Sequence, residues 1–274
     1  MERLHFDNLD QYLLLKNGNY LYKIPYRDGY AVLKLYYGSR GWLRRLYKTF
    51  DNVVLCGQTS FMPKARLRTE QDAMRVWREA GIRVFDTYPD VLVEGLPPGG
   101  YALYEYVEGR HLIKLLPDPA VPLDERRAVY REFLTQWHRR HRLAVERREP
   151  RLIHENGDLK HVMRCGDELV WFDFEMCFRS RAHVEDLVAR EILAYLKSLN
   201  SVGEELFDLF FRETMEHYEG RDFLAHVYQV AFRNRNPLIR WARHLDYRFG
   251  KRGKKPHSKY NMALKVRDYL AAHT

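Results

Sequence analysis

Ile153-His154-Glu155-Asn156-Gly157-Asp158-Leu159-Lys160-His161-Val162-Met163 and, just downstream, Leu169-Val170-Trp171-Phe172-Asp173-Phe174-Glu175 are the stretches that decide how this chain is read. Val162-Met163-Arg164 and Leu169 to Phe172 have strand composition, and Cys165-Gly166-Asp167 between them has turn chemistry, so the two runs predict a hairpin. An acid stands at each outer end of that hairpin, Asp158 before it and Asp173 after it. Singly, these residues have plain structural uses. Asp158 and Asn156 form turns, His161 is a core histidine with both nitrogens satisfied, and Asp173 caps a local turn. Together they offer candidates for the last two of the four needs of phosphoryl transfer from ATP. That chemistry requires a cation on the phosphates, a partner that holds the cation, oxygen ligands for Mg²⁺, and a group that receives or orients the acceptor proton.

Candidates for the first two needs lie upstream. Lys34 sits within Ala31-Val32-Leu33-Lys34-Leu35, where strand alternation points it opposite to its neighbours. The ordinary alternative is an edge-strand lysine facing solvent. Glu70 is expected in the first turn of a helix capped by Thr69, running to about Ala80 and closed by Gly81. There it could reach back to Lys34, or simply favour the helix dipole.

Around these positions the chain alternates cleanly between strand and helix signals. Tyr12 to Lys16, Tyr20 to Tyr26 and Tyr30 to Tyr37 predict an antiparallel meander with turns at Asn17-Gly18-Asn19 and Arg27-Asp28-Gly29. A polar, basic stretch follows from Gly38 to Arg68, and Val91 to Glu94 with Tyr101 to Val107 predicts a further hairpin. Beyond Gly109 the pattern turns helical. Leu123 to about Arg142 places Val129, Phe133, Leu134 and Trp137 on one face, with arginines and histidines on the other. Helices are expected from Val184 onward, with breaks near Asn200-Ser201, Gly220, Asn236-Pro237 and Gly250 to Pro256. The expected organisation is therefore α+β, with a small antiparallel β lobe carrying one helix over residues 1–108, and a larger mainly helical lobe over 109–274.

Composition narrows the function. The chain has 274 residues, with 46 Lys plus Arg against 37 Asp plus Glu, a net charge of +9, and 14% aromatic residues. It is rich enough in apolar residues to bury a core and basic enough to favour anionic partners. No run approaches the roughly 18 apolar residues of a membrane span, and the first residues lack the apolar core of a secretion signal, so a cytoplasmic protein is expected. Cys56, Cys165 and Cys177 have no CxxC spacing, which argues against a disulfide framework or structural zinc. GxxxxGK[ST], GxGxxG, HExxH and GxSxG are absent from the sequence.

The residues quoted above also carry a family resemblance. Gly157-Asp158-Leu159-Lys160 resembles the catalytic loop of protein-kinase-like enzymes, Asp173-Phe174-Glu175 their metal-binding Asp-Phe-Gly, and Tyr104-Glu105-Tyr106-Val107-Glu108-Gly109 the hinge strand that ends their small lobe. The basic stretch between Lys34 and Glu70, followed by Ala80-Gly81-Ile82-Arg83-Val84, is most similar to the bacterial lipopolysaccharide core kinases and Kdo kinases. Aminoglycoside phosphotransferases and RIO-type kinases are also similar.

The resemblance implies a bilobal protein-kinase-like fold using ATP and Mg²⁺, with Lys34, Glu70, Asp158 and Asp173 meeting at one nucleotide pocket. In that frame Asp173 holds the metal, and Lys34 with Glu70 positions the phosphates. Asp158 orients or deprotonates the acceptor hydroxyl, and Lys160 neutralises developing charge. Glu105 and Val107 offer backbone groups to the adenine edge. Asp186 would brace the catalytic loop or, equally, serve as an ordinary acid at a helix N-terminus.

Three departures bear on site residues. Where such loops carry a metal-binding Asn five residues after the catalytic acid, this chain has Met163. His161 is the best replacement ligand, which implies either a shortened loop or a shift that puts Asn156 in the catalytic position. The phosphate loop has one glycine, Gly18, whose backbone N–H could still approach a phosphate. Glu175 replaces the final Gly, as a second metal ligand or as a partner for Arg179 or Arg181.

The acceptor implied by the resemblance is an anionic saccharide or glycolipid, a sugar of the lipopolysaccharide core. Peripheral contact with the inner membrane would run through Arg40, Arg44, Arg45, Lys48 and Trp42, a stretch that reads equally as an amphipathic surface helix. Other readings are a kinase of protein Ser/Thr or of small metabolites, and a pseudokinase or RNA-binding module. The last would use Arg233, Arg235, Arg240, Arg243, Arg248, Lys251, Arg252, Lys254 and Lys255. Nucleic acid is the less favoured partner.

Overall fold

Turn chemistry and alternation build the sheet near the N-terminus. Strands β1 (Glu2–Leu4), β2 (Leu13–Lys16), β3 (Tyr20–Tyr26) and β4 (Gly29–Leu35) come first in the chain, and Gly18 (φ 76°) and Arg27 (φ 50°) supply the positive φ that the two turns require. The computed structural model describes residues 2–16, 18–36, 42–233, 240–241, 244–245, 247–248 and 258–273. Asn17, Tyr37, Arg40, Arg235, Arg243, Lys251, Arg252, Lys254, Lys255 and the breaks expected at Asn236-Pro237 and Gly250 to Pro256 lie outside these residues.

Contacts divide the chain into two units, Met1–Gly109 with Val170–Arg179, and Arg110–Leu169 with Ser180–Thr274. The sequence expectation kept everything after 108 in one lobe, so the return of Val170–Arg179 to the first unit is a difference. Its cause is local. Trp171 and Phe174 pack on Trp77, with ring centroids 5.5 and 4.6 Å away, and Phe172 stacks on Phe85 at 5.6 Å. The Trp171 amide donates to the Arg83 carbonyl (3.1 Å), and the Thr59 amide to that of Cys177 (2.9 Å).

In the first unit the strand order is β2-β3-β4-β6, where β6 is Tyr101–Glu105. β4 is thus an internal strand, which removes the edge-lysine alternative for Lys34. One face of this sheet buries Tyr22, Ile24, Tyr26, Ala31, Leu33 and Leu103 together with Val91 and Val93 of β5 (Val91–Val93). The expected hairpin between Val91 and Val107 does not form: β5 pairs in parallel with β1, and β6 pairs with β4. On the other face, Lys34 and Tyr36 are buried.

Two helices complete the unit where one was expected. Helix α1 (Trp42–Phe50) forms in the basic stretch, and α2 spans Pro63–Glu79. Thr69 is therefore inside α2 rather than at its cap; Pro63 holds the first helical position, where its missing N–H costs nothing.

The second unit is mainly helical. It begins with the strand β7 (Arg110–His111), which pairs with β8 (Val162–Cys165); β9 (Glu168–Trp171) then carries the chain from this unit into the first. Its helices are α3 (Leu112–Leu115), α4 (Leu123–Glu146), α5 (Val184–Ser198), α6 (Glu204–His217), α7 (Arg221–Phe232) and α8 (Lys259–Ala272). Val129, Phe133, Leu134 and Trp137 are buried as the periodicity of α4 predicts, but Arg140 and His141 from the expected polar face are fully buried too. No helix among the described residues is long and apolar enough to cross a membrane.

Candidate active site

Alternation on β4 and helical spacing on α2 deliver the first pair. The Lys34 ammonium donates to both carboxylate oxygens of Glu70, at 3.0 and 2.8 Å. It also lies 2.7 Å from Glu175 Oε1 and 3.6 Å from Asp173 Oδ1. Glu70 is further held by the Tyr36 hydroxyl, which meets that of Tyr104 at 2.7 Å.

By sequence, Glu175 has a metal, Arg179 or Arg181 as possible partners. Arg66 of α2 is its cationic partner beside Lys34, with Arg66 Nε donating to Oε2 at 2.9 Å. Asn19, beside Gly18, donates to Glu175 Oε1 and accepts from Arg66 at 2.6 Å. Arg181 pairs with Glu149 (3.7 Å), and the Arg179 amide donates to the Gly57 carbonyl (3.0 Å). Arg66, Tyr36, Tyr104 and Asn19 are the residues the sequence reading did not assign. Usable signals existed, since Arg66 precedes Glu70 by one helical turn and Tyr36 shares a strand face with Lys34.

Three carboxylates thus face two cations, and the electrostatics follow. Burial by itself would lower the Lys34 pKa, but Glu175, Glu70 and Asp173 raise it well above the ordinary lysine value, so the ammonium stays charged. Burial raises the Glu70 pKa, and Lys34 opposes that shift. The Tyr36 phenol is pushed well up by burial and by Glu70, so it remains a neutral donor. Asp173 is the most accessible of the three, with its side chain 38% exposed against 12% for Glu175 and 5% for Glu70. Asp173 also has φ 75°, a left-handed backbone that costs a non-glycine residue about 1 kcal/mol or more. An accessible carboxylate suits a hard divalent cation. No three His, Cys, Asp or Glu side chains cluster as a metal cage among the described residues.

Glu105 and Val107, the residues expected beside an adenine, lie in the same unit. Glu105 ends β6, with its side chain taken by Arg83 (2.6 Å) and by the Asp86 amide (2.7 Å), and Val107 follows in irregular backbone.

Asp158, Lys160, Asn156 and His161 belong to the second unit. Asp158 caps a short 3₁₀ turn, Leu159–His161, accepting the Lys160 amide at 2.9 Å, and its other oxygen lies 3.6 Å from Lys160 Nζ. Asn156 is exposed; its carbonyl meets His161 Nδ1 at 2.9 Å, so that nitrogen fastens the loop on itself. His161 stacks on His154 with centroids 5.1 Å apart.

Of the two roles open to Asp186, it takes that of a first-turn acid of α5, and the loop is braced from elsewhere on the helix. Asp186 pairs with His226 at 2.6 Å, whereas Glu191 accepts the His154 amide at 3.1 Å and Ser198 Oγ accepts that of Leu159 at 3.2 Å. Glu191 in turn is gripped by Arg140, at 3.0 Å from Nη1, and by His141 at 3.2 Å. The loop comes so close to α5 that a Cβ at Gly157 would lie 2.8 Å from the Tyr195 ring and 2.9 Å from the Glu191 side chain. A residue with no Cβ is what that approach needs.

The sequence matches no family model and no curated protein. Among solved structures the chain is similar to one described as WaaP in complex with acyl carrier protein, with a TM-score of 0.45 and 14% identity, over 79% of this chain and 86% of that one.

Proposed function

We propose that the protein is an ATP-dependent phosphotransferase that moves the γ-phosphoryl group to a hydroxyl of a sugar, in lipopolysaccharide core. The carrying observation is the buried cluster in which Lys34 meets Glu70 at 2.8 Å beside Asp173 at 3.6 Å. A strand lysine fixed by a helix glutamate next to an accessible aspartate is the constellation that phosphoryl transfer calls on. Lys34 is pre-charged and held, and so can meet phosphate oxygens without reorganisation. Asp173 would hold Mg²⁺, which when bound neutralises charge on the nucleotide phosphates. Glu105 and Val107 offer backbone groups to adenine, and Gly18 offers an amide to a phosphate. Asp158 orients the acceptor hydroxyl, fixed by its own cap bond, with Lys160 as its counter-charge.

The saccharide acceptor rests on the sequence resemblance and on the basic charge balance. Asp173→Asn is the test, because it keeps size and removes the anion. Transfer of labelled phosphate from ATP to core saccharide should fall by about 10²-fold or more, while the urea unfolding midpoint stays close to that of the parent. Undiminished transfer by the variant would overturn the reading.

The same proposal puts the enzyme in the cytoplasm, at the inner face of the membrane that carries its acceptor. Leu46, Tyr47, Phe50 and Val54 are exposed at near-helical spacing along α1 and the turn after it, in a basic stretch of sequence. Exposed apolar side chains with basic neighbours suit an anionic lipid surface. Flotation with phosphatidylglycerol-containing vesicles is the expected outcome. Tyr47→Ser/Phe50→Ser should stay in the soluble fraction, and equal flotation of both proteins would remove this contact.

A further inference from the structure

Lined by α2, β5 and β6 is a cavity of about 560 Å³ that takes no part in the chemistry above. Helical spacing brings Lys64, Arg68 and Gln71 onto one stripe of α2, and all three line the cavity together with Tyr88, Tyr101 and Leu103. No Asp or Glu stands among its described lining residues.

The other cations of this helix are spoken for. Arg66 pairs with Glu175, Arg75 with Glu79 at 3.1 Å, and Arg78 with Asp86 at 3.6 Å. Lys64 and Arg68 are exposed and have no ion-pair partner among the described residues. Unpaired cations on α2 are thus confined to the rim of the cavity.

We infer that this cavity is a binding site for a soluble phosphate monoester with a planar or apolar body. A phosphate monoester carries about −1.5 to −2 charges at neutral pH, which two cations one helical turn apart can match. Arginine adds paired N–H donors in the geometry of phosphate oxygens. Tyr88 and Tyr101, both partly exposed, give the organic part an aromatic surface, and the volume lies within the usual range of small-molecule sites. The inference is independent of the phosphotransferase reading, because none of its residues belongs to the Lys34 cluster.

Phenyl phosphate is the probe, titrated calorimetrically into the full chain at low ionic strength, with phenol as the ligand lacking the anion. Saturable binding in the millimolar range is expected for phenyl phosphate and none for phenol. Lys64→Gln/Arg68→Gln, at exposed positions, should weaken binding by about tenfold or more. Arg75→Gln/Arg78→Gln removes the same charge from the same helix outside the cavity and should change affinity less than about twofold. No saturable binding, or equal weakening by the two double variants, would overturn the site.

Discussion

Lys34→Met should lose phosphoryl transfer by at least about 10²- to 10³-fold, the usual cost of removing one preorganised electrostatic donor from a reacting centre. The same change should destabilise the fold by about 3–5 kcal/mol, because it breaks a buried ionic cluster by removing one partner. Glu70 is 4% exposed and would keep only the Tyr36 hydroxyl of the partners described here, whereas Glu175 would retain Arg66. The damage should therefore fall on Glu70, whose pKa burial already raises.

Adding Glu70→Gln to Lys34→Met removes the orphaned charge and should recover part of the stability. Activity should not return, since the cation proposed to meet the phosphates is still missing. Urea unfolding and labelled-phosphate transfer on the single and double variants measure the two effects separately. Transfer by Lys34→Met within several-fold of the parent would exclude Lys34 from the chemistry.

Lys34 and Glu70 could be read in the sequence because their pairing depends on local rules. Strand alternation sets the face of Lys34, and helix periodicity sets that of Glu70. Their neighbours were harder. Arg66 lay inside a run of basic residues with the look of a solvated surface, and only the arrival of Glu175 from more than a hundred residues away makes it a core residue. The start of α2 at Pro63, ahead of Thr69, has a related cause. Thr69 is a good cap by type, yet arginine and alanine favour helix strongly enough to continue it back to Pro63.

The pairing of Val91–Val93 was invisible because its partner is Glu2–Leu4, near the other end of the unit. Neighbouring strands joined by a turn favour a hairpin on sequence grounds, and tertiary packing overrode that preference. Likewise α5 offers several acids, and sequence gives no measure of which is buried. Asp186 remains part-exposed, while Glu191 is 2% exposed and receives the loop.

Glu191→Gln should cost about 3–5 kcal/mol, for it removes the carboxylate that faces the Arg140 guanidinium in a fully buried site. Burial would raise the Glu191 pKa, but Arg140 and His141 bring it down from 4.5 to about 2. Burial brings His141 down from 6.5 to about 4, with Glu191 opposing that shift. Both groups bind protons more readily in the unfolded chain, so both make the fold acid-labile.

The His141 contribution is complete above pH 6.5 and is lost as pH falls toward about 4, a loss of about 3 kcal/mol. That of Glu191 is complete above pH 4.5 and declines toward pH 2. Urea unfolding midpoints should accordingly fall between pH 6.5 and 4, and fall less steeply in His141→Gln, which cannot take up the proton. An identical pH slope in His141→Gln and the parent would show that another group controls acid unfolding. Because Glu191 also receives the His154 amide, Glu191→Gln should loosen the segment that leads into Asp158. Faster hydrogen exchange at His154 and Leu159 would register that loosening separately from the loss of global stability.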